Sequence, residues 1–210
     1  MTKIGMIFEC GPEGADLKVC THLVTRLSPG VVVVPATLTN KKIMIADCGV
    51  IAAGLLDTDG CVHVLIVWDL FPPWRDQKPC RHKDRQNIFA SLDAAGVPRD
   101  QVSLVCITEE LEAWLLADEE ALRIFLSTET YQAKGVPQIK KPERERNPKK
   151  RLDQIFRANR RGRYSDLEHA LYIARAWPNL NRLRKRCETF RRFEQKLLAA
   201  VRRSRTRTRR

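Results

Sequence analysis

Glu9, Asp69 and Glu112 each stand at or just past the end of an apolar run. "KIGMIF" leads into Glu9, "CVHVLIVW" into Asp69, and "VSLVCIT" into "EELEA", which holds Glu112. A carboxylate buried there without a partner either stays protonated or shares a cation. Mg²⁺ suits such a place, because it takes a few carboxylates, keeps several waters and accepts phosphate oxygens from a substrate. An ion so held activates water and stabilises charge on phosphorus. Glu9, Asp69 and Glu112 are therefore candidate ligands or proton-transfer groups. Glu13 and Asp16, in "ECGPEGAD", either complete the ion's shell or sit at the positive end of the helix that follows.

The elements that must position these acids follow from hydrophobic patterning. Residues 3–9, 31–38, 61–69 and 102–108 read as strands. The stretches 14–27, 41–56, 81–95 and 109–126 read as helices between and after them. The strand at 61–69 is apolar on both faces, as a central parallel strand is, whereas Pro35 places the strand at 31–38 at an edge. The alternation β-α-β-α-β-α-β-α predicts an α/β domain over 1–126, with a parallel four-stranded sheet flanked by helices. Functional groups of such sheets gather at the carboxyl ends of the strands, where Glu9 and Asp69 fall and near which Glu112 lies. A connecting loop is expected at 127–146 and a basic helical section over 147–201, its first helix opened by Asn147 and Pro148 and further helices near 166–176 and 180–202. The arginine-rich 202–210 reads as a disordered tail.

The chain has 210 residues, 43% of them hydrophobic, and a net charge of +13. Residues 1–137 carry 13 Lys and Arg against 18 Asp and Glu, whereas residues 138–210 carry 25 against 7. An acidic front joined to a basic back points to a polyanion partner, DNA or RNA first. Candidate backbone-gripping residues are Lys140, Lys141, Lys149, Lys150, Arg151, Arg184, Arg191, Arg192, Arg202 and Arg203. There is no run of eighteen apolar residues and no leader-like N-terminus, so no membrane partner is expected and a cytoplasmic location is. The seven cysteines lack metal-ligand spacing and read as core thiols. A P-loop is excluded, because "GPEG" has no Gly-Lys-Ser/Thr ending.

With these residues in view, the sequence resembles the TOPRIM superfamily, through "ECGPEGAD", "VLIVWD" and the order of the elements. More narrowly, it is similar to stand-alone TOPRIM proteins related to OLD-family nucleases and RloB-like phage-defence proteins. "ITEELEAWLLAD" is similar to that group's Glu-x-Trp segment, and "NPK" (147–149) to its Pro-Lys element. The resemblance spans residues 3–196. It implies a phosphodiester-cleaving centre dependent on Mg²⁺, with Mn²⁺ as a substitute. Glu9 would be the metal-bound or acid/base glutamate, Asp69 the first aspartate of an Asp-x-Asp pair, Glu112 a further ligand, and Lys149 the cation facing the scissile phosphate. An anti-phage role beside an ABC-type ATPase is also implied, and a homo-oligomer is compatible with it.

Phe71 stands where the second aspartate of Asp-x-Asp would fall, with Asp76, Glu13 and Asp16 as candidate replacements. The alternative is therefore a catalytically weak nucleic-acid-binding or regulatory subunit of an ATPase complex. Phe71 and Trp74 are candidates for base stacking or partner contact. Trp68, Trp114, Leu115 and Leu116 read as core, Asp118 as the start of a helical stretch, and His169 as an ordinary packed or surface histidine.

Overall fold

In a computed structural model of the chain, which describes residues 1–71 and 78–207, four strands form one all-parallel sheet. They are β1 (Thr2–Phe8), β2 (Val31–Thr37), β3 (His63–Asp69) and β4 (Val102–Ile107). Their order is β2-β1-β3-β4. This is the α/β arrangement expected from the sequence, with β2 at an edge as Pro35 requires.

Helices α1 (Ala15–Leu27), α2 (Lys41–Asp57) and α3 (Arg81–Ala94) alternate with the strands. Beyond β4 come α4 (Glu112–Leu115), α5 (Glu119–Leu126), α6 (Pro148–Ala158), α7 (Asp166–Arg175), α8 (Asn181–Arg186) and α9 (Glu188–Arg207). The segment between α5 and α6 is loop apart from one 3-10 turn at Pro142–Arg144.

Strand alternation divides the core between the two faces of the sheet. Ile4, Met6, Phe8, Leu65, Val67, Val105 and Ile107 face α1 and helices α4 to α9. Ile7, Val64, Ile66, Trp68, Leu104 and Cys106 face α2 and α3. The basic C-terminal helices thus share one hydrophobic core with the sheet: Phe190, Phe193 and Leu197 of α9 are fully buried in it. Trp114 is at its centre, edge-on to Phe190 at 5.5 Å and donating Nε1–H to Thr189 Oγ1 at 2.9 Å. Trp68, Trp114, Leu115 and Leu116 are all core, as expected.

Three local expectations are corrected. The helix read over 109–126 is broken, because Asp118 accepts from the amides of Glu120 and Ala121 and so caps a new helix. The helix read over 180–202 is interrupted at Cys187, the C-cap of α8. The tail is not disordered from 202 onward: α9 runs to Arg207, with Val201 and Ser204 buried and Arg203 Nη1 donating to Asp100 O at 3.0 Å.

Candidate functional site: an acidic cluster at the carboxyl rim of the sheet

Register brings Glu9 and Asp69 together. Phe8 pairs with Val67, so Glu9 comes level with the last residues of β3, and the Asp69 amide donates to Glu9 Oε1 at 2.9 Å. The other Glu9 oxygen, Oε2, and Asp69 Oδ1 are buried with no hydrogen-bond partner among the described residues. Both lie at the carboxyl rim of adjacent parallel strands, where a carboxyl without a partner either keeps its proton or shares a cation.

Burial pushes the Glu9 carboxyl up to about 7, against the opposing effects of the Lys41 charge and the Asp69 amide. Asp69 is raised well above its ordinary range, first by burial and then by the charges of Asp16, Glu9, Glu112 and Glu110. Asp16, in the first turn of α1, is raised to about 6 by burial, partly offset by its own backbone amide and by Lys149. Glu112 is 5% exposed and raised to about 7, again by burial, with Lys149 pulling it down. It accepts a hydrogen bond from the Tyr164 hydroxyl at 3.2 Å. Glu109 and Glu110 are raised as well, by burial first.

Lys149 is the cation of the cluster. Its ammonium pairs with Asp166 at 2.9 Å. Burial works to lower its pKa, but the bond to Asp166 and the charges of Glu112, Asp166 and Glu110 outweigh that and hold it up. Lys41, 8% exposed, adds a second positive charge beside Glu9 and donates to Leu70 O at 3.0 Å. With Lys42, Lys78 and Lys83 it also lines a cavity of about 290 Å³ that reaches Leu70.

Of the residues singled out in the sequence, the structure gathers Glu9, Asp16, Asp69, Glu112 and Lys149 into one electrostatic neighbourhood. Glu13 is not among them. Its side chain is 81% exposed and paired with Lys18 at 2.7 Å, so it is a surface ion pair rather than a ligand. Phe71 is half-buried, its amide bonded to Glu109 O at 3.2 Å. Trp74 and Asp76 lie outside the described residues. Sequence reasoning missed Lys41, Glu110, Tyr164 and Asp166. Glu110 was signalled by standing two residues before Glu112; the other three arrive through tertiary packing.

The cations proposed to grip nucleic acid divide in two. Lys140, Lys141, Lys150 and Arg191 are exposed, as are Arg202 and Arg203 on the outer side of α9. Arg184 instead clasps Glu194, with Nη2–Oε1 at 2.7 Å and Nε at 3.0 and 3.1 Å from the two oxygens, so it ties α8 to α9. Arg192 pairs with Glu188 one turn earlier, and Arg151 donates to Gln154 at 3.2 Å. His169 accepts from the Ser165 amide through Nδ1 at 2.9 Å and packs among Phe125, Phe156 and Tyr164. It is an ordinary packed histidine, as expected.

Among the described residues, no three His, Cys, Asp or Glu side chains enclose a metal ion by themselves. That is compatible with Mg²⁺, which binds through one or two carboxylates plus substrate phosphates more often than in an all-protein cage. The donors here are hard oxygens, and the two orphaned ones belong to side chains linked through the Asp69 amide. The residues therefore fit such an ion.

Fold and site together define an α/β domain with coupled, partly buried carboxyls at the carboxyl rim of a parallel sheet. The family described as a domain of unknown function, DUF4276, matches residues 37–198, and the chain belongs to that family. The match includes Asp69, Glu110, Glu112, Lys149 and Asp166 but begins after Glu9 and Asp16. No curated protein matches the chain. No helix among the described residues is long and apolar enough to cross a membrane.

Proposed function

We propose that the protein is a Mg²⁺-dependent phosphodiester-cleaving enzyme acting on DNA or RNA, with Glu9 and Asp69 as the principal metal-holding pair. The observation that carries this reading is the pair of buried oxygens, Glu9 Oε2 and Asp69 Oδ1, without a hydrogen-bond partner among the described residues and on side chains already linked by the Asp69 amide. When bound, the ion supplies charge stabilisation at phosphorus and a more acidic water. Asp16 adds negative charge that strengthens the cluster's hold on a cation. Glu112, with a carboxyl near 7, is suited to exchanging a proton near neutrality, and Tyr164 fixes its orientation. Lys149, held by Asp166, offers an ammonium to the phosphate oxygens. The exposed cations of the C-terminal helices supply backbone affinity that is independent of sequence. The resemblance extends the proposal to phage defence beside an ABC-type ATPase in the cytoplasm.

Purified protein with Mg²⁺ or Mn²⁺ is expected to nick plasmid DNA or cut RNA. Glu9→Gln and Asp69→Asn should each abolish cleavage while leaving the fold intact by circular dichroism. Cleavage that survives both substitutions would refute the assignment.

A second reading has its own observation. Phe71 occupies the place of an acid, and no three-donor group forms among the described residues. A nucleic-acid-binding or regulatory subunit with weak or no catalysis accounts for both. Retention of nucleic-acid binding with no cleavage under either ion would favour it.

A further inference from the structure

Outside the acidic cluster, four cations converge on one cavity. Arg81 and Arg85 of α3, and Arg192 and Lys196 of α9, line a space of about 340 Å³ whose remaining walls include Trp68 and Cys106. It opens beside β4, the other edge strand of the sheet. Each cation is placed by the fold. Arg81 Nη2 donates to Thr108 Oγ1 at 2.9 Å, just past the end of β4. Lys196 Nζ donates to the carbonyl of Leu104, covering an edge-strand acceptor. Arg85 lies over the Phe89 ring at 5.8 Å.

Gathering like charges is unfavourable without a counter-charge, and little counter-charge is at hand among the described residues. Glu188 pairs with Arg192 on the surface, where both side chains are about half exposed and such a pair is worth little. Asp84 accepts from Trp68 Nε1 at 3.3 Å, and although its charge reaches Cys106, it is shared with the cavity of Lys41, Lys42, Lys78 and Lys83. Arg81 Nε is buried with no partner among the described residues. Burial lowers the pKa of Lys196, and the charges of Arg85 and Arg192 lower it further.

We infer that this cavity is a phosphate-binding subsite, with Arg81, Arg85, Arg192 and Lys196 as its ligands. Guanidinium groups match phosphate oxygens with paired N–H donors, and the orphaned Arg81 Nε is a donor in need of an acceptor. The site is separate from the carboxylates but close to them along the chain, since Thr108 is followed by Glu109 and Glu110. The phosphate belongs either to a nucleic-acid backbone or to a small phosphate ester.

Titration with inorganic phosphate in EDTA tests the subsite without involving cleavage, so its failure is distinct from failure of the nuclease reading. Saturable binding is expected, weakened about tenfold or more in the double variant Arg85→Gln/Arg192→Gln and unchanged in Lys134→Gln, at an exposed loop lysine away from the cavity. Both substitutions in the double variant are at exposed side chains, and they leave the Thr108 and Leu104 bonds in place. A single-stranded oligonucleotide that displaces the phosphate assigns the subsite to a nucleic-acid backbone. Phosphate binding that resists this competitor assigns it to a small ester. Absence of saturable binding, or equal affinity in the double variant, would overturn the inference.

Discussion

The Asp69 amide and the Glu9 carboxylate meet at 2.9 Å across sixty residues of chain. This contact anchors one glutamate oxygen and leaves the other, with Asp69 Oδ1, without a hydrogen-bond donor among the described residues. It exists because β1 and β3 are parallel neighbours in a register that ends both at the same rim. Holding the Glu9 carboxyl in this buried place costs stability once it is ionised.

Glu9 has its pKa raised from 4.5 to about 7 by burial. Between those values the folded chain keeps a proton that the unfolded chain has released. The Glu9 contribution to stability is then fully present below pH 4.5 and is lost as pH rises from 4.5 through about 7. Glu9→Gln removes this dependence while keeping an acceptor for the Asp69 amide. Urea unfolding in EDTA at pH 8 should show the variant more stable, by about 1–3 kcal/mol. A variant less stable than the parent at pH 8 would contradict the account.

Lys149 should affect chemistry more than folding. Lys149→Met removes the charge that lowers the pKa values of Asp16 and Glu112. Cleavage is expected to fall by about 10²-fold or more, with partial recovery in Lys149→Arg. A loss of thermal stability equal to that of a core substitution, with cleavage per folded molecule unchanged, would make the residue structural.

His63 responds to acid in the opposite sense from Glu9. It is 3% exposed, bonded to Ser103 Oγ at 2.9 Å, and lowered from 6.5 to about 4 by burial, assisted by Arg203 and opposed by Asp100. Below pH 6.5 the unfolded chain takes up a proton that the folded one refuses, so stability is lost until about pH 4. His63→Gln should lack that component, worth about 2–3 kcal/mol. Parallel stability curves for parent and variant from pH 7 to 4 would exclude it.

Gly49 tests how α2 and α3 hold the other face of the sheet. A Cβ at this position would meet Ser91 O at 2.0 Å, where the Gly49 amide already donates to Ser91 Oγ at 3.1 Å. Gly49→Ala should therefore destabilise by about 3 kcal/mol, although alanine ordinarily favours a helix. Gly54, with nothing within 4 Å of its Cβ position, is the control: Gly54→Ala should stabilise by about 0.5–1 kcal/mol. Thermal melts of the two variants check both signs.

The sheet was legible in the sequence because β1, β3 and β4 are apolar runs flanked by glycine, proline and acids, and local pattern alone sets them. The rim followed, since parallel strands must end together. Less was legible after β4. The apolar spacing of "EAWLLADEEALRIFL" continues across Asp118, so the break is invisible until its carboxylate is seen capping Glu120 and Ala121. Arg184 looked like one more backbone-gripping cation, but it is committed to Glu194 on the next helix. Lys41, Tyr164 and Asp166 reach the cluster through packing that no periodicity encodes. The register of Glu13 likewise gave no sign that it would turn to solvent and pair with Lys18.

The central claim is that Glu9 and Asp69 together hold a divalent cation. Titration of Mn²⁺ into the protein at pH 8, followed by calorimetry, measures it most directly. Saturable binding in the parent chain, lost in both Glu9→Gln and Asp69→Asn and retained in Glu13→Gln, is the predicted result. Binding of equal strength in all four proteins, or none in the parent even with an oligonucleotide present, would contradict it.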